Sequence, residues 1–392
     1  MTEEITTRSW LSRLKDALIG ILIGIGMIIG AVVLIFWNEK HSLHTAQSLA
    51  QTQKVVISVP DSPINQENNL KVVYLNGQAS TQDQLTDSQL GVTVTAISLK
   101  RKVEMYQWQE KTETKTESQL GGSEKQTKTY TYSKVWSGSL INSVNFRDPE
   151  GHQNPAAMPI QSQTQYAPTV TLGDFTLPDT LITQINISQP VDLSKVNKES
   201  LHTELNKPVT LMNDELYLGK DAQNPQTGDL RISLSAVYPQ DVSIIAQQTG
   251  TTLQAYLAPA GETVMLLSTG IHSPEQMIAE AQSENKMITW ILRLVSFIML
   301  FAGFSLILNP LVVLADVIPF LGSIVNFGTG FIAFLCGLCV WIVATAIAWF
   351  FTRPLLSFGL IAVAAIVSYL LIKMRSKKLP PPPPTETLDG SP

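Results

Sequence analysis

Five histidines and two cysteines are all the imidazole and thiol this chain offers for metal binding or nucleophilic chemistry, so their spacing decides what they can do. His41 and His44 stand three apart and would share a helix face, but no carboxylate or thiol motif accompanies them. Cys336 and Cys339 are spaced like a redox or metal pair, yet they lie inside a long uncharged run, where they read as small packing residues. The densest polar cluster is Asn142, Asn145, Arg147, Asp148, Glu150, His152 and Asn154, ending at Pro155. A histidine beside carboxylates can act as a general base or a ligand, while Asn and Asp hydrogen bonds in turns produce the same composition with no chemistry. Asn145, His152 and Asn154 are the candidate residues of that loop. The chain has no G-x-S-x-G, H-E-x-x-H or G-x-x-x-x-G-K-[ST] motif, and no G-x-G-x-x-G between strand and helix. No catalytic residue, cofactor or metal site is therefore expected.

Two charges fall at membrane depth, where ionisable groups are functional suspects. Asp316 lies in an interrupted apolar stretch between Pro310 and Pro319 and fits either an ion path or a loop. Arg293 sits one turn into an apolar run, close enough to its end to snorkel toward water.

The elements that would position these residues follow from composition. The 392 residues are 44% hydrophobic and only 15% charged, against roughly a quarter charged in ordinary soluble domains. The shortfall sits at the two ends, while the middle is rich in Thr, Gln, Ser and Lys. The net charge of −5 leaves no basic surface for nucleic acid. The expected fold is a four-span α-helical membrane protein with a large β-rich α+β domain between spans one and two. Ala17 to Trp37 carries no charge and is long enough to cross a hydrocarbon core of about 30 Å as an uncleaved signal anchor. Gly20 and Gly24, and again Gly26 and Gly30, have the small-xxx-small spacing that lets a second helix approach closely. Further spans are expected at 287–308, 325–351 and 354–372, with an irregular or interfacial stretch at 309–324. Lys373, Arg375, Lys377 and Lys378 then mark 373–392 as a cytoplasmic tail, with Pro380 to Pro384 a stiff spacer. An even number of spans puts 1–16 in the cytoplasm as well and 38–286 outside it.

Within 38–286, short runs rich in Val, Ile, Tyr and Thr predict strands at 55–59, 70–75, 92–99, 103–108, 130–136, 169–172, 215–218, 230–237, 242–248 and 263–268. Ser273 and Pro274 predict a capped helix start. A turn centred on Gly122 would fold 108–136 into a hairpin with Trp108 opposite Trp136.

Several of these residues also carry a resemblance. Val103-Glu-Met-Tyr-Gln-Trp108, Trp136 with Ile141-Asn-Ser143, Asn145-Phe146, Gly151-His152, Asn154-Pro155 and Ala157-Met158 resemble the transmembrane protein 43 family, also called LUMA. Trp37-Asn-Glu39, Gly228-Asp-Leu-Arg231, Gly261-Glu-Thr263 and Arg353-Pro-Leu355 have counterparts in the same order. The resemblance covers nearly the whole chain. It implies a multi-pass protein with a large lumenal domain that acts as a self-associating scaffold, with no catalytic residue to carry over. It also implies the endoplasmic reticulum and inner nuclear membrane for an animal protein, and the inner membrane for a bacterial one. The expected partners are further copies of the chain, the lipid bilayer and other membrane proteins. The alternatives are a channel or transporter using Asp316 and a membrane-tethered enzyme with a site near His152.

Overall fold

A computed structural model of the protein describes residues 2–352. Three helices in it are long and apolar enough to cross a membrane, and the expected fourth span at 354–372 and the tail at 373–392 lie outside the described residues. The first helix runs over Trp10–Val55 rather than 17–37. Ser9 caps it, its hydroxyl accepting from the Ser12 amide, and no proline or glycine interrupts the polar turns beyond Trp37. It stops where Val55, Val56 and Ile57 follow one another, because β-branched side chains crowd a helix and suit a strand. The second helix, Pro274–Ala315, begins well before the expected 287. Ser273 caps it and Pro274 opens it, as the sequence predicts, and Gln276 completes a capping box. The expected irregular stretch 309–324 is mostly helical: the second helix runs through Pro310 to Ala315, and Pro319 opens the third helix, Pro319–Thr352. Only Asp316 to Ile318 reverses the chain.

Between the first two helices lies the expected β-rich region, built on two sheets. A seven-stranded sheet closes on itself, because the strand Gln240–Thr249 pairs on one side with Thr252–Gln254 and on the other with Val72–Ser80. Val73, Leu75, Leu172, Phe175, Ile244 and Ala246 fill it. An eight-stranded sheet carries Leu230–Val237 against Ser98–Ser118 and Glu215–Leu218, with Val103, Met105, Leu216 and Ile232 buried beneath. A seam of Leu49, Tyr74, Ile245, Val264, Met277 and Ile278 fixes the lower turns of both long helices to this region.

The hairpin is longer than expected and shifted in register. Ser98–Ser118 pairs with Glu124–Ser137 through a turn at Gly121 and Gly122, whose φ of 87° and 78° suit glycine. The turn centres one residue earlier than Gly122, which moves every pair by two: Trp136 faces Tyr106, and Trp108 faces Lys134. The segment 1–16 does not stand apart. Thr2–Arg8 is an edge strand hydrogen-bonded along Glu124–Ser137, from Thr2 opposite Tyr130 to Arg8 opposite Glu124. This pairing is at odds with the expected division of 1–16 and 38–286 between two sides of a bilayer, since backbone hydrogen bonds require the two strands to lie side by side.

Candidate functional site

The long helices and the hairpin run the same distance. From Arg13 to Ser42 a helix rises about 43 Å, and from Met105 to Ser118 a strand also covers about 43 Å. Both meet the β region at one end, and each end carries a buried ionic cluster.

Near the β region, Glu39 and Arg293 form a bidentate pair, Nε to Oε1 at 2.6 Å and Nη2 to Oε2 at 2.9 Å. Both are buried. Trp349 donates its indole N–H to Glu39 Oε2 at 2.8 Å, and Trp341 donates to the Arg293 carbonyl at 3.0 Å. The guanidinium also lies 4.7 Å from the centre of the Trp290 ring. Arg293 therefore does not snorkel to water; a carboxylate on the facing helix satisfies its planar fork in place. One layer below, Asn38 donates to the Thr289 carbonyl and Thr289 to the Ser42 hydroxyl. In the sequence Glu39 belongs to the Trp37-Asn-Glu39 motif that follows the first apolar run, but its partner lies 254 residues away.

At the far end, Asp316 accepts from buried Arg13 and from the Ser118 hydroxyl. Arg13 also lies 3.1 Å from Glu124 and donates to the Gly122 carbonyl at 2.7 Å. Trp10 Nε1 donates to the Val313 carbonyl, and the Gly121 amide to the Val317 carbonyl. Asp316 is thus a tether between the helix reversal, the start of the first helix and the hairpin tip. Gly322 lets the third helix pass it, since a Cβ there would collide with the Asp316 carboxylate.

The glycines divide. A Cβ on Gly24 would lie 2.6 Å from the Gly303 carbonyl oxygen, and one on Gly303 would lie 2.8 Å from the Gly24 oxygen. Gly20 faces Leu306 and Gly30 faces Met299, both at ordinary van der Waals distance. Gly26 has no atom near its missing side chain. The close approach is therefore made within the chain, first helix on second, with Gly24 as its centre.

The loop of Asn145, His152 and Asn154 is brought against the hairpin. Asn154 acts as a substitute strand: its Oδ1 accepts from the Trp108 amide at 2.7 Å, and its Nδ2 donates to the Trp108 and Ile141 carbonyls. His152 stacks on Tyr132 with centroids 3.9 Å apart and meets the Trp108 ring edge-on at 4.7 Å. Its Nδ1 donates to the Asp148 carbonyl, so no carboxylate orients this imidazole. Asn145 is exposed at the end of a short turn capped by Asn142.

The histidine that does meet a carboxylate is His41, whose Nδ1 lies 2.9 Å from Glu262 Oε1. This pair borders a cavity of about 410 Å³ between the first two helices and the strand at Thr263, lined also by Ser42, Thr45, Glu284 and Asn285. Local spacing cannot reveal it, because His41 and Glu262 sit 221 residues apart. His44 and His202 do not join it; His202 donates to the Lys207 carbonyl. Cys336 and Cys339 both carry free thiols. Among the described residues, no three His, Cys, Asp or Glu side chains gather as a metal site would need.

Comparison with known proteins fits this architecture. The family model described as Transmembrane protein 43 matches residues 105–354. The mouse protein named Transmembrane protein 43 is 34% identical over 94% of both chains, as is its human counterpart. A Drosophila protein named Transmembrane protein 43 homolog is 26% identical over 88% of this chain and 92% of its own. No solved structure matches. The matched region takes in the hairpin from Met105, the His152 loop, Arg293 and Asp316, and with near full-length identity above 30% it establishes that this chain belongs to the transmembrane protein 43 family.

Proposed function

We propose that this chain is a self-associating membrane scaffold without catalytic activity. The observation that carries the reading is what the buried charges do: Glu39 is paired with Arg293, and Arg13 with Asp316 and with half-buried Glu124. Each pair ties elements far apart in the chain, and together they hold helices and hairpin as a closed frame joined at both ends. A frame of this kind fixes the relative positions of a membrane bundle and an aqueous domain, which is the task of a scaffold. The inner membrane of a bacterium or the endoplasmic reticulum and inner nuclear membrane of an animal cell would be its setting, with copies of itself and other membrane proteins as partners.

The transport alternative loses its motivating residue, because Asp316 is engaged with Arg13 and Ser118. The enzymatic alternative near His152 lacks the carboxylate that would orient a base. The direct test is the mass of the full-length protein in mild detergent by size-exclusion chromatography with light scattering. A multiple of the chain mass is expected, and a monomer at all concentrations sinks the proposal.

A further inference from the structure

Among the described residues, the strand Ser98–Ser118 has a free edge beyond Trp108. Tyr106 donates its amide to the Asp229 carbonyl and accepts from Gly228, and Trp108 pairs in the same outward sense with Asn154. Both residues therefore turn their backbone groups away from Glu124–Ser137. By the alternation of an antiparallel ladder, Glu110, Thr112, Thr114 and Thr116 do the same. Among the described residues no further strand pairs with this stretch. The Arg13–Asp316 tether holds the hairpin at its tip, so the edge is fixed rather than frayed.

The charges along that edge have an order. Lys111, Glu113, Lys115 and Glu117 lie on one face at every second position, and all are exposed. Within the chain they pair along the strand, Lys111 with Glu113 at 3.0 Å and Lys115 with Glu117 at 2.7 Å. Such exposed pairs contribute little. Turned against its own copy about Thr114, the same series becomes fully complementary: Lys111 stands opposite Glu117 of a second chain, and Glu113 opposite Lys115. Pairing about Glu113 or Lys115 would instead bring like charges together, and pairing about Thr112 or Thr116 would match only two of the four charges. The edge is thus most fully self-complementary in one antiparallel register, the condition for an interface with two-fold symmetry.

We infer that two copies of this chain associate through the edge Glu110–Ser118, antiparallel and centred on Thr114, joining their hairpins into one continuous sheet. This rests on the self-association reading and assigns its surface. Opposed Thr114 Cα atoms would lie about 5.5 Å apart, within reach of a disulfide.

The test uses full-length protein in its membrane with Cys336→Ala and Cys339→Ala, carrying Thr114→Cys, oxidised with copper phenanthroline and run on a non-reducing gel. A covalent dimer is expected. Thr112→Cys alone should crosslink weakly, but a mixture of Thr112→Cys and Thr116→Cys chains strongly, since those positions oppose each other. Lys111→Glu should lower the Thr114→Cys crosslink about tenfold, and adding Glu117→Lys should restore it. If Thr114→Cys does not crosslink while light scattering still gives an oligomer, this interface is wrong and self-association stands. A monomeric mass removes both. Crosslinking through Thr6→Cys in place of Thr114→Cys would move the contact to the other edge of the sheet and overturn the assignment.

Discussion

Glu39 and Arg293 face each other from antiparallel helices, bidentate and sealed by two indole donors, at the level where the bundle meets the β region. An ion pair taken out of water contributes modestly when whole but leaves an uncompensated charge when halved. Glu39→Leu or Arg293→Leu should each cost about 3–5 kcal/mol, whereas the double substitution should cost less than either. Thermal unfolding in detergent, followed by tryptophan fluorescence, reads the difference; a double variant less stable than both singles would show that the pair is a net stabiliser.

The helix contact at Gly24 predicts a position-specific response to bulk. Gly24→Leu meets the Gly303 carbonyl and should destabilise the bundle by about 1–3 kcal/mol through overpacking. Gly26→Leu points into open space and should leave the melting temperature unchanged. Equal effects at the two positions would mean that Gly26 faces a neighbour in the assembled protein.

Thr6 and Gln126 are direct partners across the strand pair. Thr6→Cys with Gln126→Cys, in a chain lacking Cys336 and Cys339, should form an intramolecular disulfide in the membrane, read as a mobility shift reversed by reductant. A chain whose N-terminus is divided from the β region by the bilayer cannot form it. Sidedness therefore follows the N-terminal strand, and this crosslink decides it.

Asn154 and His152 should separate in mutagenesis. Asn154→Ala strips the Trp108 amide and two carbonyls of partners and should cost about 1–3 kcal/mol. His152→Phe keeps an aromatic ring between Tyr132 and Trp108 and should be nearly neutral. A large loss of cellular function in His152→Phe with unchanged stability would revive a chemical role for that imidazole.

Acid should weaken the eight-stranded sheet through Glu104. Burial pulls its pKa upward, but hydrogen bonds and charge from Arg231 and Lys102 outweigh this and hold the carboxyl below its ordinary 4.5. Because the folded value is the lower one, the stabilisation is complete above 4.5 and is lost as pH falls through the folded value. The melting temperatures of wild type and Glu104→Gln should differ near neutral pH and converge in acid; a gap that widens on acidification would reverse the sign.

What the sequence determined was local. Uncharged runs marked the three long helices, alternation marked most strands, and Ser273 with Pro274 marked a helix start, because periodicity and capping are written within a few residues of where they act. The hairpin was legible too, but its register was not: moving the turn centre by one residue moves each cross-strand pair by two, and Gly121 and Gly122 are equally suited to the turn. Helix ends were misjudged for a related reason. Charge marks where an apolar run stops, whereas a helix stops where caps and β-branched residues make another conformation cheaper, as at Val55 to Ile57.

Tertiary structure decided the partners. Arg293 read as a snorkelling residue and Asp316 as an ion-path or loop residue because a charge in an apolar run looks unpaired until its counterpart is placed. Glu39 stands 254 positions from Arg293 and Arg13 stands 303 from Asp316. The same holds for Thr2–Arg8, a polar stretch that becomes a strand only because the hairpin offers it an edge. Coulombic attraction and edge pairing depend on separation in space, which chain patterning does not encode, so only the fold could turn these isolated charges and polar segments into the ties that hold the frame.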